Sequence, residues 1–423
     1  MKANWQTKKL AEVCDIGAGN SAPQNKDFFV NGKYPFFRTS DVGNIHIGKI
    51  INSNDYLNEK GIKGLKLYKK GTILLPKSGA STFLNHRVIL DVDGYVSSHL
   101  ATIKTTEKLL ESDFLFYYLL EIKAQDLIQD HKYPSLNLQV IGDIQIPLPP
   151  LPTQHRIVKI LDEIFSDIAK AKEHAEKNLQ NTKELFESYL QNIFANPASA
   201  KATAGKPGED WEEKTLKELT LKIGSGATPR GGRKSYKNEG ISLIRSMNVH
   251  DRRFKEKNLA LIDDTQASNL SNVTLEEGDV LLNITGASVT RCCVMPIQYL
   301  PARVNQHVSI IRPRQELIDT YFLNYLLTTK LYKDQLFGIG EQGATRQAIT
   351  KAQIENFTII FPKSIAEQKS IVIKLDALFA ETKKLEAIYQ QKLDNLEELK
   401  KSVLKKEFKG DCSNNRQFWV INV

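Results

Sequence analysis

Apolar and small residues recur along one segment in alternating steps of four and three: Ile157, Leu161, Ile164, Ile168, Ala171 and Ala175. Past the polar Asn178 and Thr182, the frame reaches Leu185 and Tyr189. A repeat of 3.5 residues is the seam of a coiled coil, not the stripe of a lone surface helix. Between Pro152 and Ala195 there is no further Pro and no Gly, so one uninterrupted helix is expected, starting near Pro152-Thr153 after an extended proline-rich lead-in. The same spacing returns near the C-terminus at Ile371, Leu375, Leu378, Thr382, Leu385, Tyr389, Lys392, Leu396, Leu399 and Val403. Offset by 214 positions without a gap, residues 154–194 match 14 of 41 residues in this second copy. Shared leucines would follow from amphipathicity alone. The shared Gln154/Gln368 and Asp162/Asp376 do not, and they mark an internal duplication.

The segments between the helices carry a mixed α/β pattern. Tyr34–Phe37 reads as a strand, and the apolar run Gly71–Pro76 as a buried one. Val88–Leu90 and Tyr95-Val96 flank Asp93-Gly94, a hairpin signal, and Phe114–Ile122 is helix-like. Residues 197–210, small, polar and rich in Pro and Gly, form a linker. Beyond it the first pattern returns. Trp5, Gly17-x-Gly19, Arg38, Gly79-Ala80-Ser81, His99 and Tyr118-Leu119-Leu120 answer to Trp211, Gly224-x-Gly226, Arg245, Gly286-Ala287-Ser288, His307 and Tyr325-Leu326-Leu327. The expected organisation is domain (1–150), long helix (151–196), linker (197–210), domain (211–360), long helix (361–410) and tail (411–423). The polar loops between matched positions differ, which suits one scaffold reading two different things.

Composition adds bounds. Apolar content of 41% and charged content of 25% are those of a folded chain, and 423 residues call for two or three domains. No run approaches the 18 or so apolar residues of a membrane span, and the N-terminus carries no signal-peptide pattern, so a cytoplasmic protein is expected. Cys14, Cys292, Cys293 and Cys412 lack metal-ligand spacing and read as free thiols. The net charge of +9 permits a polyanionic partner without requiring one.

No catalytic constellation emerges. Gly338-Ile339-Gly340-Glu341-Gln342-Gly343 fits the spacing of a dinucleotide fingerprint, but that motif needs a strand before it, and Tyr321–Phe337 looks helical; a flexible loop after a helix is expected. The loops do hold residues suited to base edges and phosphates. These are Lys77, Ser78, Arg87, His131, Lys132 and Tyr133 in the first domain, and Arg230, Arg233, Lys234, Arg252, Arg253, Arg291, Arg346 and Gln347 in the second. Arg38 and Arg245, at matched scaffold positions, read as structural or phosphate-contacting before base-reading. The first domain has two arginines and the second ten, so any base reading by the second would favour guanine. Two other readings stay open: a coiled-coil scaffold whose repeated domains bind protein, and an enzyme with an unrecognised site.

The layout, with Ile146-Pro147-Leu148-Pro149-Pro150-Leu151-Pro152-Thr153-Gln154-His155-Arg156-Ile157-Val158 and the second Glu367-Gln368-Lys369-Ser370-Ile371-Val372, resembles the specificity subunits of type I restriction–modification systems over residues 5 to 409. Lys363-Ser364-Ile365-Ala366 departs from the proline cluster of the first copy. The resemblance implies an α+β chain of two target-recognition domains, each followed by a long helix, with the helices packed as an antiparallel coiled coil. Each domain would read half of a bipartite site in double-stranded DNA. A helix over 153–195, roughly 65 Å long at about 1.5 Å per residue, would set the gap. The helices would dock two methyltransferase subunits, and restriction subunits would join. S-adenosylmethionine, ATP and Mg would sit on those partners, none on this non-catalytic chain.

Overall fold

In each half of the chain the first strand pairs antiparallel with the segment that leads into a long helix: Gln6–Lys9 with Gln145–Leu148, and Trp211–Thr215 with Thr358–Pro362. The computed structural model describes residues 5–106, 108–128, 134–195, 211–341 and 348–408. The long helices run Leu151–Ala195 and Ile365–Phe408. Two compact units divide within both helices. One holds residues 1–176 and 390–423, the other Lys177–Tyr389.

The first unit is built on a five-stranded sheet in the order Cys14–Ala18, Leu100–Thr105, Ile73–Pro76, Arg87–Leu90, Ile47–Ile50, with a three-stranded sheet of Tyr56–Leu57, Tyr34–Phe37 and Tyr95–Val96 beside it. The run Ile73-Leu74-Leu75 is continuous in sequence because both faces of its strand are covered. Ile73 and Leu75 join the core under the helix Ser112–Leu119, and Leu74 joins Phe37, Val42, Ile50, Val88 and Val96 on the other side. The second unit repeats this split. Val280 and Leu282 face the helix Thr320–Leu327, while Leu281 faces Leu243, Cys293, Val304 and Ile310.

The hairpin expected around Asp93-Gly94 does not form. Arg87–Leu90 belongs to the large sheet, whereas Tyr95-Val96 pairs in parallel with Phe36-Phe37. Gly94 instead exchanges both backbone hydrogen bonds with Tyr68, and Asp93 accepts from Lys70 N at 2.9 Å and Lys69 Nζ at 2.8 Å. The turn residues bend the chain from one sheet to another.

The matched Gly19 and Gly226 have a steric cause. A Cβ at Gly19 would lie 2.3 Å from the carbonyl oxygens of Val96 and Ser97, and one at Gly226 1.8 Å from that of Val304. Only glycine lets the loop pass this close to the neighbouring strand end.

The short helix of each unit, Ser112–Leu119 or Thr320–Leu327, and the long helix are joined in the same way in both units. Gln154 and Gln368 are fully buried. Gln154 accepts from Glu111 N at 2.9 Å and donates to the carbonyls of Leu109 and Pro149 at 2.7 and 2.8 Å. Gln368 accepts from Asp319 N at 2.7 Å and donates to Leu317 and Pro362 at 3.1 and 2.8 Å. Two turns along, Tyr117 donates to Asp162, and Tyr325 to Asp376 at 2.6 Å. Two of the polar identities shared by the two helices, Gln154/Gln368 and Asp162/Asp376, are these joints.

Of the predicted seam, Ile157, Leu161, Ile168, Leu375 and Leu396 are buried, and Ile164, Ile371, Leu378 and Leu399 pack partly buried against the cores. The antiparallel sense is plain within the first unit. Ile157 and Leu161 share a core with Val403 and Leu404, while further along Ile168 and Ala171 meet Leu396 and Lys172 pairs with Glu397 at 2.8 Å. Leu185 and Leu385 leave the seam, at 53% and 39% exposure. From Ala171 the buried line proceeds through Ala175, Leu179, Thr182, Phe186 and Leu190. It takes two consecutive steps of four twice, over 171–175–179 and 182–186–190, where the sequence pattern alternates four and three. Such an inserted four unwinds the supercoil locally and brings Phe186 in place of Leu185 onto Phe379, with ring centroids 5.2 Å apart.

Candidate nucleic-acid interface

At one end of each large sheet three loops meet in the same way. In the first unit Lys77 N donates to His99 O at 3.0 Å, Leu136 N to Lys77 O at 2.7 Å, and Ser78 bridges to Ser135. In the second, Ile284 N donates to His307 O at 3.0 Å, Ile349 N to Ile284 O at 2.8 Å, and Thr285 bridges to Ala348. Gly19 N and Gly226 N tie in the glycine loops through Leu100 O and Asn305 O, both at 3.1 Å. In both units a loop hydroxyl engages the histidine ring: Ser78 Oγ lies 2.9 Å from His99 Nδ1, and Thr285 Oγ1 2.6 Å from His307 Nδ1. The backbone framework and the hydroxyl–histidine pair are common, and the other side chains mounted on it are not.

The second unit carries a cleft of about 370 Å³ at this place, lined by Ser246, Thr285, Gly286, Ser288, Arg291 and His307. Asn283, fully buried, fixes its floor by donating to Ser246 O at 2.9 Å and to Ser288 Oγ at 3.2 Å. Arg291 is half-buried, and among the described residues its guanidinium has no ion-pair or side-chain hydrogen-bond partner. A cation held at a polar cleft without a counter-charge suits an anionic or acceptor-rich ligand. Arg230, Arg233 and Lys234 stand exposed around the turn Gly232–Ser235. Lys77 and Ser78 are half-exposed in the first unit. His131, Lys132, Tyr133, Arg346 and Gln347 lie outside the described residues.

Arg87 departs from its expected place as a DNA-contacting residue. It is 4% exposed, and its guanidinium donates to the carbonyl of Asn85 at 2.8 Å and to that of Ile122. Burial lowers its pKa to about 10. It opens a strand whose four residues are all buried, so it ties a sheet edge to a loop and cannot reach a ligand. Arg87→Ala is expected to cost about 2–4 kcal/mol by stranding those carbonyls, with any recognised DNA motif unchanged. Thermal melting alongside motif mapping checks this; an altered motif at full stability would return Arg87 to the readers.

Arg252 is likewise committed elsewhere. It lies 5.0 Å over the Phe186 ring, pairs with Glu187 and donates to Thr328 Oγ1 at 3.3 Å, fastening its loop to the first long helix. Arg38 lies over Phe36 and pairs with Asp55, and Arg245 lies over Tyr236 and donates to Asn258 O. Both are structural groups at matched positions.

The residues 338–341 that open the glycine-rich string belong to the helix Lys330–Glu341, not to a loop, and no strand leads into it. Among the described residues no group of three or more His, Cys, Asp or Glu could hold a metal ion, and no helix is long and apolar enough to cross a membrane. Cys14, Cys292 and Cys293 are buried and free, and burial pushes the Cys14 and Cys293 thiols up to about 12.

In the sequence His99 and His307 are matched positions without a role, and Ser246 and Ser288 carry no mark of a site. The signal was present in part: a histidine and a hydroxyl recur at matched positions in divergent surroundings.

The family model for the type I restriction modification DNA specificity domain matches residues 2–178 and again 208–397. The MjaVIII specificity subunit of a type I restriction enzyme from Methanocaldococcus jannaschii is 23% identical over 409 residues, covering 95% of this chain and 91% of that protein. The EcoBI specificity subunit of Escherichia coli is 22% identical, covering 88% and 85%. Among solved structures, a chain from work on complex assembly and conformational transition of the type I R-M system superposes with a TM-score of 0.76 at 20% identity, covering 97% and 98%. The HsdS subunit from Thermoanaerobacter tengcongensis gives 0.59 at 20% identity with the same coverage.

Proposed function

Because the chain belongs to the type I restriction–modification DNA specificity family, whose members recognise DNA without catalytic chemistry of their own, we propose that its two domains each read one half of a bipartite, gapped site in double-stranded DNA. The observation that carries this reading is the duplicated loop framework around Ser78–His99 and Thr285–His307 with different side chains upon it. A fixed backbone supplies register, and the variable groups supply the reading. Lys77, Ser78, His131, Lys132 and Tyr133 would serve the first half-site; Arg230, Arg233, Lys234, Arg291, Arg346 and Gln347 would serve the second.

The helices would set the gap and dock two methyltransferase subunits. Ile373 and Ile388 are exposed on one side of the second helix, with Ala377, Ala380 and Lys384 between them, and large apolar side chains turned to water suit a protein partner. S-adenosylmethionine would reside on those subunits, and ATP with Mg on restriction subunits that join them, in the cytoplasm where the DNA lies.

Long-read methylation mapping of DNA from cells expressing this chain with its methyltransferase subunit tests the proposal. A single gapped motif with methyladenine in both halves is expected. Absent methylation from subunits that demonstrably associate would favour the scaffold reading. In the same assay Arg291→Ala is expected to relax one position of one half-site, at about 1–3 kcal/mol of discrimination. An unaltered motif would remove Arg291 from the readers.

A further inference from the structure

We propose that His99 and His307 are the matched phosphate-backbone contacts of the two domains, held for that task by Ser78 and Thr285, and that they carry no sequence information. The inference rests on the reading of the chain as a DNA-recognition subunit.

Three observations converge on it. The first is duplication. The hydroxyl–imidazole pair occurs at equivalent points of both frameworks, although Lys77 becomes Ile284 and Ser135 becomes Ala348 around it. A group kept with its geometry in two domains cannot be what makes them read different sequences. Phosphate oxygens, by contrast, are offered at every sequence.

The second is placement. Each histidine immediately precedes a central strand, Leu100–Thr105 or Val308–Pro313, and its carbonyl is bonded by the residue just before the hydroxyl. The ring is therefore anchored at the loop layer on rigid backbone. His99 is exposed, and His307 lines the cleft beside Arg291. An exposed ring adds little to packing, so burial does not account for its being held.

The third is chemistry. With Nδ1 engaged by the hydroxyl, Nε2 is the ring nitrogen left for a ligand. A hydroxyl donating to Nδ1 fixes the tautomer with the proton on Nε2. A single oriented N–H donor suits a phosphate oxygen, and it lacks the paired donors by which arginine or asparagine tells one base from another.

The test uses the complete complex of this chain with its methyltransferase subunits. Binding is measured on a duplex bearing the mapped motif and on one with both half-sites scrambled. His99→Ala and His307→Ala are each expected to weaken both duplexes by the same factor, about three- to tenfold for one lost hydrogen bond, leaving the methylated motif as it was. Thr285→Val, which only releases the ring, should show a smaller loss with the same lack of sequence preference. His307→Gln, whose amide nitrogen can reach the place of Nε2, should recover part of the affinity and guards against a folding artefact. A loss confined to the motif duplex, or a changed motif, would make these histidines base readers and overturn the proposal. Unchanged binding on both duplexes would overturn it as well. Failure of the parent reading looks different: the wild-type complex itself would show no preference between the duplexes.

Discussion

Removing one heptad from each long helix, residues 173–179 of the first and 388–394 of the second, is expected to shorten the gap of the DNA site by about three base pairs and to leave both half-site sequences intact. Seven residues of helix are about 10 Å, and three base pairs at about 3.4 Å each cover the same length. Both helices must change together because they run antiparallel, so a deletion in one alone would put the other out of register. A heptad is the right unit because seven residues fall only about 20° short of two full turns, which keeps Ile168, Ala171 and Leu396 on the seam. Three base pairs also turn the groove by about 100°, at 10–10.5 base pairs per turn. Affinity should therefore fall even on the shortened site. Methylation mapping of the deletion variant reads the gap directly, and unchanged spacing in an assembled complex would sink the spacer role.

Gln368→Leu is expected to destabilise the second unit by about 3–5 kcal/mol, and Gln154→Leu the first by a similar amount. Leucine fills the space but strands one amide N–H, from Asp319 or Glu111, and two carbonyls: Leu317 and Pro362, or Leu109 and Pro149. Each buried group left without a partner costs about 1–3 kcal/mol. Tyr325→Phe, which removes only the bond to Asp376, should cost about 1 kcal/mol. With two units the melt is not a single two-state step. The change is best read as hydrogen exchange at the amides of Asp319, Tyr321 and Phe322 in one variant, and of Glu111, Asp113 and Phe114 in the other. Protection lost in the mutated unit alone is the expected pattern. A change below about 1 kcal/mol would mean that water or a rearranged loop replaces the glutamine.

Particular residues show how far the sequence reached. Ile73-Leu74-Leu75 announced a buried strand by its apolar run. The glycine pairs were legible as a repeat, Gly17-x-Gly19 with Gly224-x-Gly226, but the close approach that requires Gly19 and Gly226 was not. Gln154 and Asp162 were legible as shared with Gln368 and Asp376, but their purpose was not, because their partners at Leu109, Tyr117, Leu317 and Tyr325 lie some fifty residues away in the chain. Arg87 was placed on the surface as arginines usually are. Its burial depends on carbonyls at positions 85 and 122 that only folding brings together. Leu185 and Leu385 kept the heptad frame in sequence and lost it in space, because a helix of 3.6 residues per turn drifts from a 3.5 repeat and here corrects the drift with a four-residue step.

The sequence by itself determined the duplication, the two long helices and the absence of a recognisable catalytic motif; the expected linker 197–210 lies outside the described residues. All of these are properties of spacing and residue type along one line. Only the tertiary structure decided which polar residues are spent inside and which remain outside for a ligand. Arg87, Arg252, Arg38 and Arg245 are consumed by carbonyls, carboxylates and rings from distant segments, while Arg291 and the two hydroxyl-held histidines are left at the loop layer. A side chain's role follows from the partners within about 3 Å of it, and those are fixed by the packing of two sheets and a helix pair, which no local pattern encodes.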